Sequence, residues 1–169
     1  VISRATLWSE VCGTAFYKIV WDAAAGAPVA EGENGRICEG DVRVTPVSPF
    51  EIFPDSLSAE RMEDVHSLIH AKAVPVREIF EKFGVRLSGR DISEFSLSPY
   101  SVSRHWKTVE GEGARLTEEG YEIVIERYTM PDFEHKNGKL EIVAGGKLLY
   151  EGVLPYENGD KGTRKFPFA

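Results

Sequence analysis

The sequence predicts an α+β fold dominated by antiparallel sheet, with one or two short amphipathic helices, on three observations. Several short segments alternate in the period of two that a half-buried strand requires, and turn residues separate them. One segment instead places Val76, Ile79, Phe80 and Phe83 at i, i+3, i+4 and i+7, the spacing of an amphipathic helix. Between "KLEIVA" and "KLLYEG" the pair Gly145-Gly146 marks a two-residue hairpin, which makes the strands it joins antiparallel. With 169 residues, 42% hydrophobic and 28% charged, the chain falls in the single-domain range, so residues 1–169 are read as one domain.

The elements follow in order. "ISRATLWSEVC" spaces Ile2, Ala5, Trp8 and Cys12 helically, with Gly13 where a C-terminal cap belongs. No N-cap opens this helix, the chain starts with Val, and it stops on the apolar "FPFA"; the ends read as those of a fragment of a longer protein. "TAFYKIVWD" has strand composition, with Phe16, Lys18 and Val20 on one face and Tyr17, Ile19 and Trp21 on the other. The all-apolar face is expected to be buried. Residues 23–40 are glycine-rich and predict an exposed loop or loose hairpin, after which "DVRVTPV" resumes alternation and pairs antiparallel with the first strand. Pro49 and Pro54 exclude regular structure from "SPFEIFPD", whose Phe50, Ile52 and Phe53 are expected on the core, and Ser58 is expected to cap a single helical turn. "VHSLIHAKAV" predicts a third strand. The helix that follows has Pro75 in its first turn, a Glu78–Lys82 pair at i,i+4 and Gly84 at its end. A second short helix is predicted from Pro99 to Trp106, and 107–120 is too polar for more than a connection. From Tyr121 a strand runs to a break at Pro131, and Asn137-Gly138 turns the chain into the final hairpin.

Charge and composition exclude several functions. A net charge of −7 repels phosphate backbones, so any contact with DNA is expected to be loose. No run reaches the ~18 apolar residues of a membrane-spanning helix, and no secretory signal pattern is present. Cys12 and Cys38 stand alone, without the spacing of zinc or redox sites, which suits a reduced, cytoplasmic-type chain.

His66 and His70, with Glu63 and Asp64 nearby, resemble part of a metal site, but on a strand they lie ~13 Å apart, too far to share one ion. They read as a partly exposed structural pair. "ENGDKGT" places glycines and a lysine together yet departs from GxxxxGK[ST], and reads as an exposed turn. Asp22, Asp41 and Asp55 fall at strand ends or turns, where aspartate accepts backbone N–H groups. No catalytic, cofactor-binding or metal residue is assigned, and no cofactor is expected. Two alternative functions remain at this level: a binding module recognising a peptide or glycan through Trp21, Trp106 and Tyr128, and a small metal-dependent hydrolase using His66, His70 or His105.

Four stretches, taken in order, carry a family resemblance. "CGTAFYKIVWD" is a helix end running into a strand that closes on Trp-Asp. "GDVRVTPVSPFEIFPD" is a Gly-Asp-Val strand followed by Pro-Phe and Pro-Asp. "VHSLIHAKAVPVREIFEKFG" is a strand, then Val-Pro-Val and an amphipathic helix. "YTMPDFEHKNGKLEIVAGGKLLYEGVLPYENG" is an Asn-Gly turn, a strand, a hairpin and a strand ending in Leu-Tyr-Glu-Gly. Together they resemble the portal protein, or head-to-tail connector, of tailed bacteriophages and prophages, and specifically its wing region.

The resemblance implies a structural role and no enzyme activity. Portal proteins form a ring, usually of twelve subunits, at the capsid vertex through which DNA is packaged and ejected. The implied partners are other copies of the chain, capsid and scaffold proteins, and terminase and tail proteins through parts of the family not present here. No membrane is involved, and the implied location is the virion, with the bacterial host cytoplasm during assembly. Residues 23–40 and 86–120 depart from the family pattern.

Overall fold

A computed structural model describes residues 2–32, 35–89, 120–158 and 163–169. The architecture is α+β with mostly antiparallel sheet. It divides into two compact units, Val1–Pro49 with Pro167–Ala169, and Phe50–Phe166. Among the described residues no helix is long and apolar enough to cross a membrane.

In the first unit, helix α1 (Ile2–Cys12) closes at Gly13, whose N–H donates to the Ser9 carbonyl at 2.9 Å. Strand β1 (Phe16–Asp22) pairs antiparallel along its whole length with β4 (Asp41–Val47), from Phe16 opposite Val47 to Asp22 opposite Asp41. Between them, β2 (Pro28–Gly32) and β3 (Gly35–Cys38) form an exposed hairpin within the glycine-rich segment. The other edge of β1 is taken by the last residues of the chain: Tyr17 and Ala169 exchange N–H···O bonds of 2.8 and 3.0 Å, and Ile19 donates to Pro167 at 2.7 Å.

The burial of β1 is the reverse of the sequence expectation. Trp21 is 63% exposed, and Ile19 and the cross-strand partners of these two residues, Val42 and Val44, are exposed as well. The mixed face carrying Phe16, Lys18 and Val20 is half-buried, with Val47 and Phe168 buried. Lys18 makes this possible because its ammonium stands 5.5 Å from the centre of the Phe168 ring, so that its apolar stem can pack while its charge keeps a partner. Alternation identifies the residues that share a face, but not which face the rest of the unit covers.

The second unit is built on a five-stranded antiparallel meander in chain order: β5 (Ile52–Pro54), β6 (Ser67–Pro75), β7 (Tyr121–Thr129), β8 (Lys139–Ala144) and β9 (Lys147–Gly152). One face buries Leu68 and His70 of β6, Val124, Glu126 and Tyr128 of β7, and Leu140, Ile142 and Ala144 of β8. This is the period of two expected from the sequence. Helix α2 (Val76–Phe83) follows β6 with Pro75 at its N-cap, Ile79 buried, and Gly84 in the left-handed conformation. Its i,i+4 ion pair is Arg77–Glu81 at 3.4 Å; Lys82, expected to pair with Glu78, lies over the Phe83 ring. Gly145 and Gly146 both take positive φ, +55° and +73°, the two-residue geometry that glycine accepts at no steric cost.

Short 3-10 turns occupy Pro49–Glu51 and Met62–Asp64. The helical turn expected to be capped by Ser58 starts instead at Met62, with Arg61 at its N-cap, and the Ser58 hydroxyl lies 3.1 Å from that of Ser56. Strands β10 (Glu157–Asn158) and β11 (Thr163–Arg164) pair antiparallel, Glu157 opposite Arg164 and Asn158 opposite Thr163, and the rest of "ENGDKGT", residues 159–162, lies outside the described residues. The helix predicted from Pro99 to Trp106, the 107–119 connection and His105 lie outside the described residues.

Candidate functional site

The densest group of ionisable side chains arises from sheet register. Glu126 and Tyr128 share the buried face of β7, and pairing with β6 sets His70 directly opposite Glu126. His70 Nδ1 lies 2.9 Å from Glu126 Oε2, and the Tyr128 hydroxyl donates to the same oxygen at 2.7 Å. Lys72 Nζ is 3.9 Å from Glu126 Oε1, and His70 Nε2 faces Glu51 Oε2 at 3.7 Å. His70 is 3% exposed and Tyr128 1%. An unpartnered carboxylate at this depth costs several kcal/mol, so these donors are what allow Glu126 to sit in the sheet. Burial, reinforced by the Glu126 charge and hydrogen bond, pushes the Tyr128 phenol far above its ordinary value, and the hydroxyl stays a donor. The Tyr128 ring packs edge-on against Phe166 at 6.3 Å.

General acid or base catalysis needs a group within hydrogen-bond reach of a substrate. Both nitrogens of His70 face carboxylates from within the unit, so the arrangement braces the segment before β5 to β6 and β7. His66 and His70, expected as a partly exposed pair, are in different surroundings. His66 is exposed just before β6 and faces Asp132 at 3.6 Å, whereas His70 is in the core.

Asp132 also faces His135, whose Nδ1 is 3.5 Å away. The backbone N–H of His135, first among several contacts, holds the Asp132 carboxyl below its ordinary range. The sequence signal for this clasp is an aspartate just after Pro131 and a partner three residues on, the pattern of a side chain closing its own turn. Among the described residues no group of three or more His, Cys, Asp or Glu side chains is arranged to hold a metal ion.

The other candidates have local roles. Asp22 accepts from the Ala24 N–H at 3.1 Å and pairs with Arg43; Asp41 accepts from Val42 at 2.7 Å, and Asp55 from Ser67 at 2.9 Å. Cys12 and Cys38 are half-buried free thiols. Of the aromatics considered for ligand binding, Tyr128 is core, Trp106 lies outside the described residues, and Trp21 is exposed.

Trp21 belongs to an open apolar face. The cross-strand pairs Tyr17–Pro46, Ile19–Val44 and Trp21–Val42 occupy one side of the β1–β4 ribbon. The Trp21 ring lies against Gly40, where a methyl group would overlap it, and Gly40 takes φ +75°. No family model matches the chain, and no curated protein matches it.

Proposed function

We propose that this chain is the wing-like part of a portal protein, a structural component of the ring at a capsid vertex through which DNA is packaged and ejected. The observation that carries the reading is the agreement of four ordered stretches with the elements that the portal resemblance implies for them. β1 closes on Trp21-Asp22; β4 opens on Asp41-Val42 and leads to Pro49-Phe50; β6 passes through Val74-Pro75-Val76 into α2; and the β8–β9 hairpin ends on Leu149-Tyr150-Glu151-Gly152. An open apolar face on the β1–β4 ribbon suits a part that meets neighbours, and His70 is committed to internal carboxylates. In this reading the chain acts in the virion and assembles in the bacterial host cytoplasm, with capsid and scaffold proteins as partners.

Electron micrographs of the full-length gene product test the reading. A closed ring of subunits, twelve in the expected case, supports it; an intact product that stays monomeric across concentration overturns it.

A further inference from the structure

Two loops meet at one end of the five-stranded sheet. The β5–β6 connection, residues 55–66, and the β7–β8 turn, residues 130–138, both leave that end, because Pro54 pairs beside Leu68, Ser67 beside Thr129, and Thr129 beside Lys139. The Met130 N–H donates to the His66 carbonyl at 2.9 Å and ties the loops together. Each loop carries a large apolar side chain almost wholly in water: Phe133 is 98% exposed and Leu57 94%.

Single exposed apolar residues are ordinary on protein surfaces. These two differ in how the chain presents them. Phe133 stands at the apex of a turn clasped from both sides: Asp132 N–H donates to the His135 carbonyl at 3.1 Å, His135 N–H to Asp132 Oδ1 at 2.5 Å, and Gly138 N–H to the His135 carbonyl at 2.8 Å. The Leu57 loop is pinned at its base, where Asp55 N–H donates to the Ser67 carbonyl and Ser67 N–H to Asp55 Oδ2, both at 2.9 Å. An aromatic held on a braced turn loses little freedom on docking, which is the property of an interface anchor.

The surroundings define what would dock. The two loops hold six carboxylates against Arg61 and Lys136, a net of −4, which Lys165 reduces to −3 through its pair with Glu63. We propose that this end of the sheet is a docking surface for a protein partner that offers apolar pockets bordered by Lys and Arg. A symmetric contact with a second copy would oppose like charge to like charge, and an anionic lipid surface would be repelled. The inference does not rest on the portal reading, since a monomeric binding module would present the same end.

The test uses the full chain and a short helical peptide with Leu and Trp on one face and Arg along both flanks, beside a counterpart with Glu in place of Arg. The Arg peptide is expected to bind and to shift amide resonances of 55–66 and 130–138. Phe133→Ser is expected to weaken it by about 30-fold and Leu57→Ser by about tenfold, the range of an interface anchor. Both side chains lie in water, so circular dichroism of the variants should match the parent. Equal affinity in the variants, equal affinity for the Glu peptide, shifts confined to other residues, or no binding up to peptide solubility would each overturn the proposal. So would self-association, or binding to phosphatidylcholine vesicles, that Phe133→Ser abolishes, because the occupant would then be a second copy or a membrane.

Discussion

At the scale of single residues, Tyr128 is the most instructive. Its hydroxyl sits in the least accessible part of the sheet, and the reason is Glu126, which would otherwise have one donor fewer at 2.7 Å. Tyr128→Phe keeps the ring against Phe166 and removes only that donor. Urea unfolding is expected to show a loss of about 1–3 kcal/mol, the cost of leaving a buried polar group short of a partner. Tyr150→Phe on the exposed edge strand is the control, with a change within about 0.5 kcal/mol. Equal effects from the two substitutions would mean that the His70–Glu126–Tyr128 network adds nothing to stability.

At the scale of elements, the β1–β4 ribbon depends on Gly40 for two separate reasons, a backbone at φ +75° and a Trp21 ring where a side chain would go. Gly13 shares the first, at φ +76°, with open space around it. Gly13→Ala should therefore cost about 1–2 kcal/mol of backbone strain, and Gly40→Ala should cost more in thermal or denaturant unfolding. In a Trp21→Ser background the excess at Gly40 should vanish, since the two residues are in contact and their effects couple. An excess that survives would place its cause elsewhere.

Element type was legible where alternation or helical spacing is local, but not in "SPFEIFPD", expected to be irregular: Pro49–Glu51 form a 3-10 turn and Ile52–Pro54 an edge strand, the position in a sheet that tolerates proline. Pro75 and Gly84 bound α2, and Gly145-Gly146 turns the last hairpin, as their chemistry requires. The His70–Glu126 contact was not legible, because it joins residues 56 positions apart and exists only in one register of β6 on β7. The exposed face of β1 was missed for a related reason. Which face is covered depends on Phe168 and its neighbours, more than 140 positions away, and on Lys18 finding an aromatic ring.

At the scale of the whole molecule, charge sets the strongest constraint. Twenty-seven acidic residues against twenty basic give −7, and the end of the sheet that carries Phe133 and Leu57 is itself acidic. Several basic residues are also occupied by carboxylates: Arg43 by Asp22, Lys139 by Glu141 and Glu151, Arg164 by Glu157, and Lys165 by Glu63. Counterion release from DNA needs basic side chains that can neutralise phosphates, and each one already paired must first give up its partner. A labelled DNA duplex titrated with the chain at physiological salt is therefore expected to show no change in fluorescence anisotropy up to about 100 μM protein, the weak edge of ordinary non-specific binding. Binding in the low micromolar range, falling steeply as salt rises, would require several basic groups acting together. It would sink the expectation that any contact of this chain with DNA is loose.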